Sequence, residues 1–105
     1  MRKFLGLLIV AVFSVSATTT VAQALTSSTT GGYAYNSSTQ SMYSCDTRDD
    51  GAAFENQSWN SSNQRSVIRD NVGGICNGLS YAQEQVRFRG CRDQVFDNCG
   101  PYRYP

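Results

Sequence analysis

Four cysteines stand at positions 45, 76, 91 and 99 of a chain of 105 residues that contains no histidine. An even number of cysteines in so short a chain reads as a disulfide framework, and closing two bridges restricts the fold more than any other feature here. The missing histidine removes the Ser-His and Cys-His nucleophile systems. An all-cysteine zinc site is disfavoured because no two cysteines have the C-x2-C spacing. The expectation is two disulfides, no metal and no cofactor.

The start of the chain explains where such bridges would form. Arg2 and Lys3 precede an apolar run from Phe4 to Val15, broken only by Gly6 and Ser14, and a polar stretch ends in Ala22-Gln23-Ala24. A positive start, a short apolar stretch and a small-x-small end are the order of a secretory signal peptide, with cleavage expected after Ala24. A membrane span needs about 20 predominantly apolar residues, and this run stops short of that. The expected mature protein is residues 25–105, where seven arginines against eight acidic residues give a net charge of −1. That balance supplies no field for nucleic acid or an anionic membrane. The expected location is secreted or periplasmic, with no transmembrane span after cleavage.

Residues 25–41 are dominated by Ser, Thr, Gly and Asn. They carry too little apolar surface to offset their ordering entropy and read as a flexible leader to a stapled domain over residues 42–105. Tyr43, Cys45 and Thr47 alternate with Ser44, Asp46 and Arg48, the period of a strand. Asp50-Gly51 suits a two-residue type I′ turn. Folding there gives a hairpin with Tyr43, Cys45, Thr47, Ala52 and Phe54 on the inward face, and Asp46, Arg48, Glu55 and Gln57 on the outward one. Ser61 with Gln64 forms a capping box, and Ile68, Val72, Ile75 and Cys76 fall on one helical stripe. The pattern predicts a helix from Ser62 to about Cys76, stopped by Asn77-Gly78. Val86 and Phe88 alternate with Arg87 and Arg89 as a third strand.

The expected fold class is therefore α+β: a small antiparallel sheet, made of a β-hairpin plus a third strand, with one packed helix. A core this thin needs covalent staples. Four cysteines allow three connectivities; the favoured one is Cys45–Cys99, tying the first strand to the end of the domain, with Cys76–Cys91 tying the helix to the third strand. The order Tyr43-Ser44-Cys45, then Gly51 and Phe54, an Asn/Ser-rich turn, a helix ending in Cys76 and two later cysteines resembles small disulfide-bonded domains of unknown function in bacterial exported proteins. The resemblance covers residues 43–99, departs from the pattern at Val67, Asn71 and Ile75 where alanines are usual, and implies a strand–strand–helix–strand fold without catalytic residues.

Candidate chemistry is sparse. Glu55 or Glu84 with an aspartate could serve a small carboxylate-based hydrolase, but that mechanism needs a cleft that about 60 folded residues rarely form. Asp46 to Gly51 imitates a calcium loop except where Arg48 and Gln57 replace carboxylates. Arg87, Arg89, Arg92 and Arg103, with Tyr102 and Tyr104, form a candidate binding patch of guanidinium and aromatic faces suited to carboxylates, phosphates or sugars. The competing reading is a solvated strand face neutralised by Asp93 and Asp97. The expected function is a non-catalytic exported binding or accessory protein, an inhibitor or envelope-associated interaction module, with a protein or polysaccharide partner. The alternative is a secreted effector or toxin-like protein acting on a membrane or host target.

Overall fold

Alternation of small or apolar residues with polar ones recurs between Thr26 and Asp93, and the structure turns much of this stretch into strands. The computed structural model describes residues 24–94 and 98–105; the expected signal peptide, Ala24 apart, and Asp97 lie outside them. The strands are β1 (Thr26–Thr29), β2 (Gly32–Asn36), β3 (Ser41–Asp46), β4 (Ala53–Asn60), β5 (Arg65–Asp70), β6 (Ile75–Ser80), β7 (Gln85–Asp93) and β8 (Asn98–Cys99). They make two four-stranded antiparallel sheets, ordered β1-β2-β3-β6 and β5-β4-β7-β8. None of the described residues is helical, so the described part of the chain is all-β and the α+β expectation is overturned.

The helix fails because its residues carry a second period. Along Arg65–Asp70, Ile68 and Asp70 face inward and are buried, while Arg65, Val67 and Arg69 face outward. The supposed capping box is a hairpin turn built by Asn60, whose Oδ1 accepts the N–H groups of Ser62 and Gln64, each at 3.0 Å. Asn63 takes the left-handed conformation, with φ of 61°, that a three-residue hairpin loop requires. Val72 and Ile75, half of the expected apolar stripe, are 52% and 49% exposed.

The predicted hairpin is also corrected. Its two halves are strands and Gly51 turns with φ of 81°, but β3 pairs with β2 and β6, whereas β4 pairs with β5 and β7. The turn carries the chain from one sheet to the other. The bridges are Cys45–Cys76 and Cys91–Cys99, in place of Cys45–Cys99 and Cys76–Cys91. Each joins residues directly opposed on neighbouring strands, a closeness that sheet pairing supplies and a helix would not.

Residues 25–41, expected as a flexible leader, supply β1 and β2. Their small polar side chains fit because the sheets approach closely and are stitched by hydrogen bonds. Gly90 N–H donates to Ser27 Oγ at 3.0 Å, Ser44 Oγ donates to the Phe54 carbonyl at 2.7 Å, and Asn56 Nδ2 donates to the Tyr43 carbonyl at 2.9 Å. Such bonds offset the cost of removing these polar groups from water. The apolar core between the sheets is Ala34, Met42, Phe54, Ile68 and Phe88, with Leu25 and Tyr81 packed against it. Asp70, fully buried, accepts the Asp46 N–H at 3.0 Å and the Val72 N–H at 3.2 Å, tying together two of the three places where the chain changes sheet.

Burial pushes the Tyr81 hydroxyl above its usual value of 10.0, with the hydroxyls of Ser58 and Ser66 pulling it back. The folded chain therefore keeps this proton to higher pH than the unfolded one. The resulting stability is intact below pH 10 and is lost as pH rises through the folded value. Urea melts across that range should show a shallower alkaline decline in Tyr81→Phe than in the native chain; equal declines would assign the loss to other tyrosines.

Candidate functional site

The antiparallel register of β4 and β7 sets Trp59 opposite Arg87 and Gln57 opposite Arg89. Alternation turns these four to the face opposite Ser58, Phe88 and Gly90, with Gln57 itself buried at the base of the cluster. The chain's end completes the cluster. Arg103 exchanges two backbone hydrogen bonds with Phe88, of 2.8 and 3.0 Å, which lays the tail along β7 and brings Tyr102 beside the arginines. The Trp59 and Tyr102 rings meet edge to face with centroids 5.6 Å apart. The Arg87 guanidinium lies 4.5 Å from the Trp59 centroid and 5.3 Å from that of Tyr102; Arg89 lies 5.9 and 4.9 Å from the same rings.

The arrangement fixes two positive charges without neutralising them. Arg89 Nε donates to Gln57 Oε1 at 3.1 Å and Arg87 Nη2 donates to Asn63 Oδ1 at 3.3 Å, so each is oriented by a neutral amide. Carboxylates on the same face are already engaged: Glu55 and Asp93 both pair with Arg69. Among the described residues neither Arg87 nor Arg89 forms an ion pair. Aromatic faces beneath a guanidinium restrict its motion while leaving its N–H edge to receive an anion.

Of the six residues expected in the patch, the structure brings together Arg87, Arg89 and Tyr102. Arg92 has the alternation of Phe88 and Gly90, and it is spent on structure: its Nη2 pairs with Asp50 Oδ2 at 2.7 Å and its Nε donates to Gln94. The same guanidinium holds the Asp50 carboxyl below its usual range, helped by the Ala52 N–H. Arg103 turns back to donate from Nε to the Thr26 carbonyl at 2.7 Å. Tyr104 is 67% exposed and touches none of the cluster's rings at stacking distance. Trp59 is the residue the sequence reading missed. It is the chain's one tryptophan, and it shares a face of β4 with Glu55 and Gln57.

The other candidates resolve into structural roles. Asp46 Oδ1 accepts the Arg48 N–H and Asp50 Oδ1 the Ala52 N–H, as turn-forming aspartates do. Glu55 sits in the Arg69 pair, and Glu84 is exposed on the connection between β6 and β7. No protein family matches the chain, and no curated protein or solved structure does. Among the described residues no helix is long and apolar enough to cross a membrane. The two disulfides suit an oxidising environment.

Proposed function

We propose that this chain is an exported, non-catalytic binding module for an acidic polysaccharide. The observation that carries the reading is the pair of guanidiniums held over Trp59 and Tyr102 with no carboxylate in ion-pair distance of either among the described residues. Arginine takes a carboxylate or sulfate through paired N–H groups, and an indole or phenol ring offers an apolar face to the C–H groups of a sugar. The signal-peptide pattern and the disulfide pairs support export, where such polymers are met.

The test is retention on immobilised polygalacturonate and heparin at low and high salt. The native chain should bind at least one of them, more weakly as salt rises. Arg87→Ser/Arg89→Ser should weaken binding about tenfold or more, since a charge-assisted hydrogen bond contributes about 1.5–3 kcal/mol. The melting temperature should fall only by about a few degrees, because an exposed cation–π contact contributes about 0.5–1 kcal/mol. Equal retention of native and variant chains on both polymers overturns the reading, as does failure of the native chain to bind either. Release of dye from anionic vesicles by the native chain would favour the effector alternative.

A further inference from the structure

At the end of the sandwich where β4 turns into β5, the side chains line an open cleft of about 310 Å³, at the lower end of the range for small-molecule sites. Its lining includes Asn60, Gln64, Ser66, Tyr81, Gln83 and Gln85, and no charged side chain contributes to it. None of the residues of the arginine cluster lines the cleft.

Gln85 reaches this cleft because the β4–β7 ladder slips. Register shifts between Trp59 and Asn60, so that Asn60 pairs with Gln85 rather than Val86. A bulge of this kind re-aims a side chain: Gln85 is 3% exposed, whereas Val86, which simple alternation placed beside Phe88, is 44% exposed. Gln85 Nε2 donates to the Gln83 carbonyl at 3.1 Å, which fixes the orientation of the amide. Gln85 Oε1 is then left buried with no donor. A buried acceptor without a partner carries a real desolvation cost, and one lining a preformed cleft is poised for a ligand's donor.

The rim complements it. Asn60 Nδ2 donates to Gln64 Oε1 at 2.9 Å and to Gln83 Oε1. Both exposed glutamines therefore use their oxygens inward and keep Nε2 as donors. The walls are held in place independently of any ligand, because the N–H groups of Tyr81 and Gln85 donate to the carbonyls of Gln40 and Thr39, each at 2.7 Å. The site thus offers a deep acceptor, two rim donors and the Tyr81 ring, all uncharged. A carboxylate ligand would meet the Gln85 oxygen with no cation to compensate, and a cation would meet no anion. A ring bearing hydroxyls that both donate and accept, with an apolar C–H face, matches the Gln85 acceptor, the two rim donors and the Tyr81 ring.

We propose that this cleft binds a neutral pyranose of a polysaccharide chain, one hydroxyl donating to Gln85 Oε1 while others accept from the Nε2 groups of Gln64 and Gln83. The test is titration of the ¹⁵N-labelled protein with cellotriose, maltotriose, xylotriose and chitotriose, following side-chain amide resonances. At least one trisaccharide should shift the amides of Gln64, Gln83 and Gln85. Gln64→Ala/Gln83→Ala, confined to exposed positions, should weaken that binding about tenfold through loss of two neutral hydrogen bonds. Gln85→Leu should abolish it, and the rim variant keeps the test valid if the buried change disturbs folding. Arg87→Ser/Arg89→Ser should leave trisaccharide binding unaltered, so failure of the acidic-polymer reading and failure of this one are separately visible. No amide shift with any of the four sugars, or undiminished binding by the rim variant, overturns the proposal.

Discussion

Phe54→Ala is expected to cost about 4 kcal/mol, the middle of the range for deleting a buried phenylalanine. A domain of about 80 residues has only about 4–12 kcal/mol of stability in total, so this one change should bring the chain to the edge of unfolding. The ring is 1% exposed and lies where two glycines make room for it. A Cβ added at Gly32 would stand 2.7 Å from the ring, and one added at Gly90 would stand 2.7 Å from Phe54 Cε1 and 2.6 Å from the Ser27 carbonyl oxygen. Gly90→Ala should therefore cost about 3 kcal/mol through overpacking. Ring and glycine act on the same space, so their effects must couple. In a Phe54→Ala background the alanine at position 90 should cost about 1 kcal/mol less than in the native chain. Urea melts of the four proteins of this cycle measure the difference. Additive costs would mean the ring does not depend on the glycine.

The same narrow gap explains what could and could not be seen in the sequence. Strand character was legible at Tyr43–Asp46 and at Arg87–Arg89 from alternating polarity, but in the first segment the faces are inverted: Ser44 and Asp46 are buried, Tyr43 is only partly covered and stacks on Tyr35, and Thr47 is exposed. Which strands pair was not legible. Asp50-Gly51 specifies a turn, but nothing local says whether the chain returns along its own sheet or crosses to the other, and the partner of β3 is the distant β6. The segment around Ile68 fits a helical stripe and a strand alternation equally, and the long-range pairing of β5 with β4 decides between them. Ser27 and Ala34 look like leader residues because they are small; they are buried for that same reason. At the candidate site, Arg87 and Arg89 were legible from alternation, and the same parity already separates Arg92 from them and adds Trp59. The inward turn of Gln85 was not legible, since a bulge leaves no mark in the alternation around it.

The disulfides should contribute unequally, and the unequal effect follows from what each one holds. Cys45–Cys76 closes a sequence separation of 31 and Cys91–Cys99 one of 8. Chain-entropy closure is worth about 3.7 kcal/mol for the longer loop and about 2.6 kcal/mol for the shorter. Packing adds to the difference. All six residues of β6 are exposed, and within its sheet the strand has β3 as its one neighbour, so little apolar burial holds it. Cys45→Ala/Cys76→Ala should lower stability by about 1 kcal/mol more than Cys91→Ala/Cys99→Ala. It should also release β6 before the rest of the sandwich opens. Amide exchange separates the two effects: the β6 amides should lose protection selectively in the first variant and keep it in the second. If β6 stays as protected as β4 without its bridge, the backbone ladder alone secures that edge, and the longer disulfide acts only on the unfolded chain.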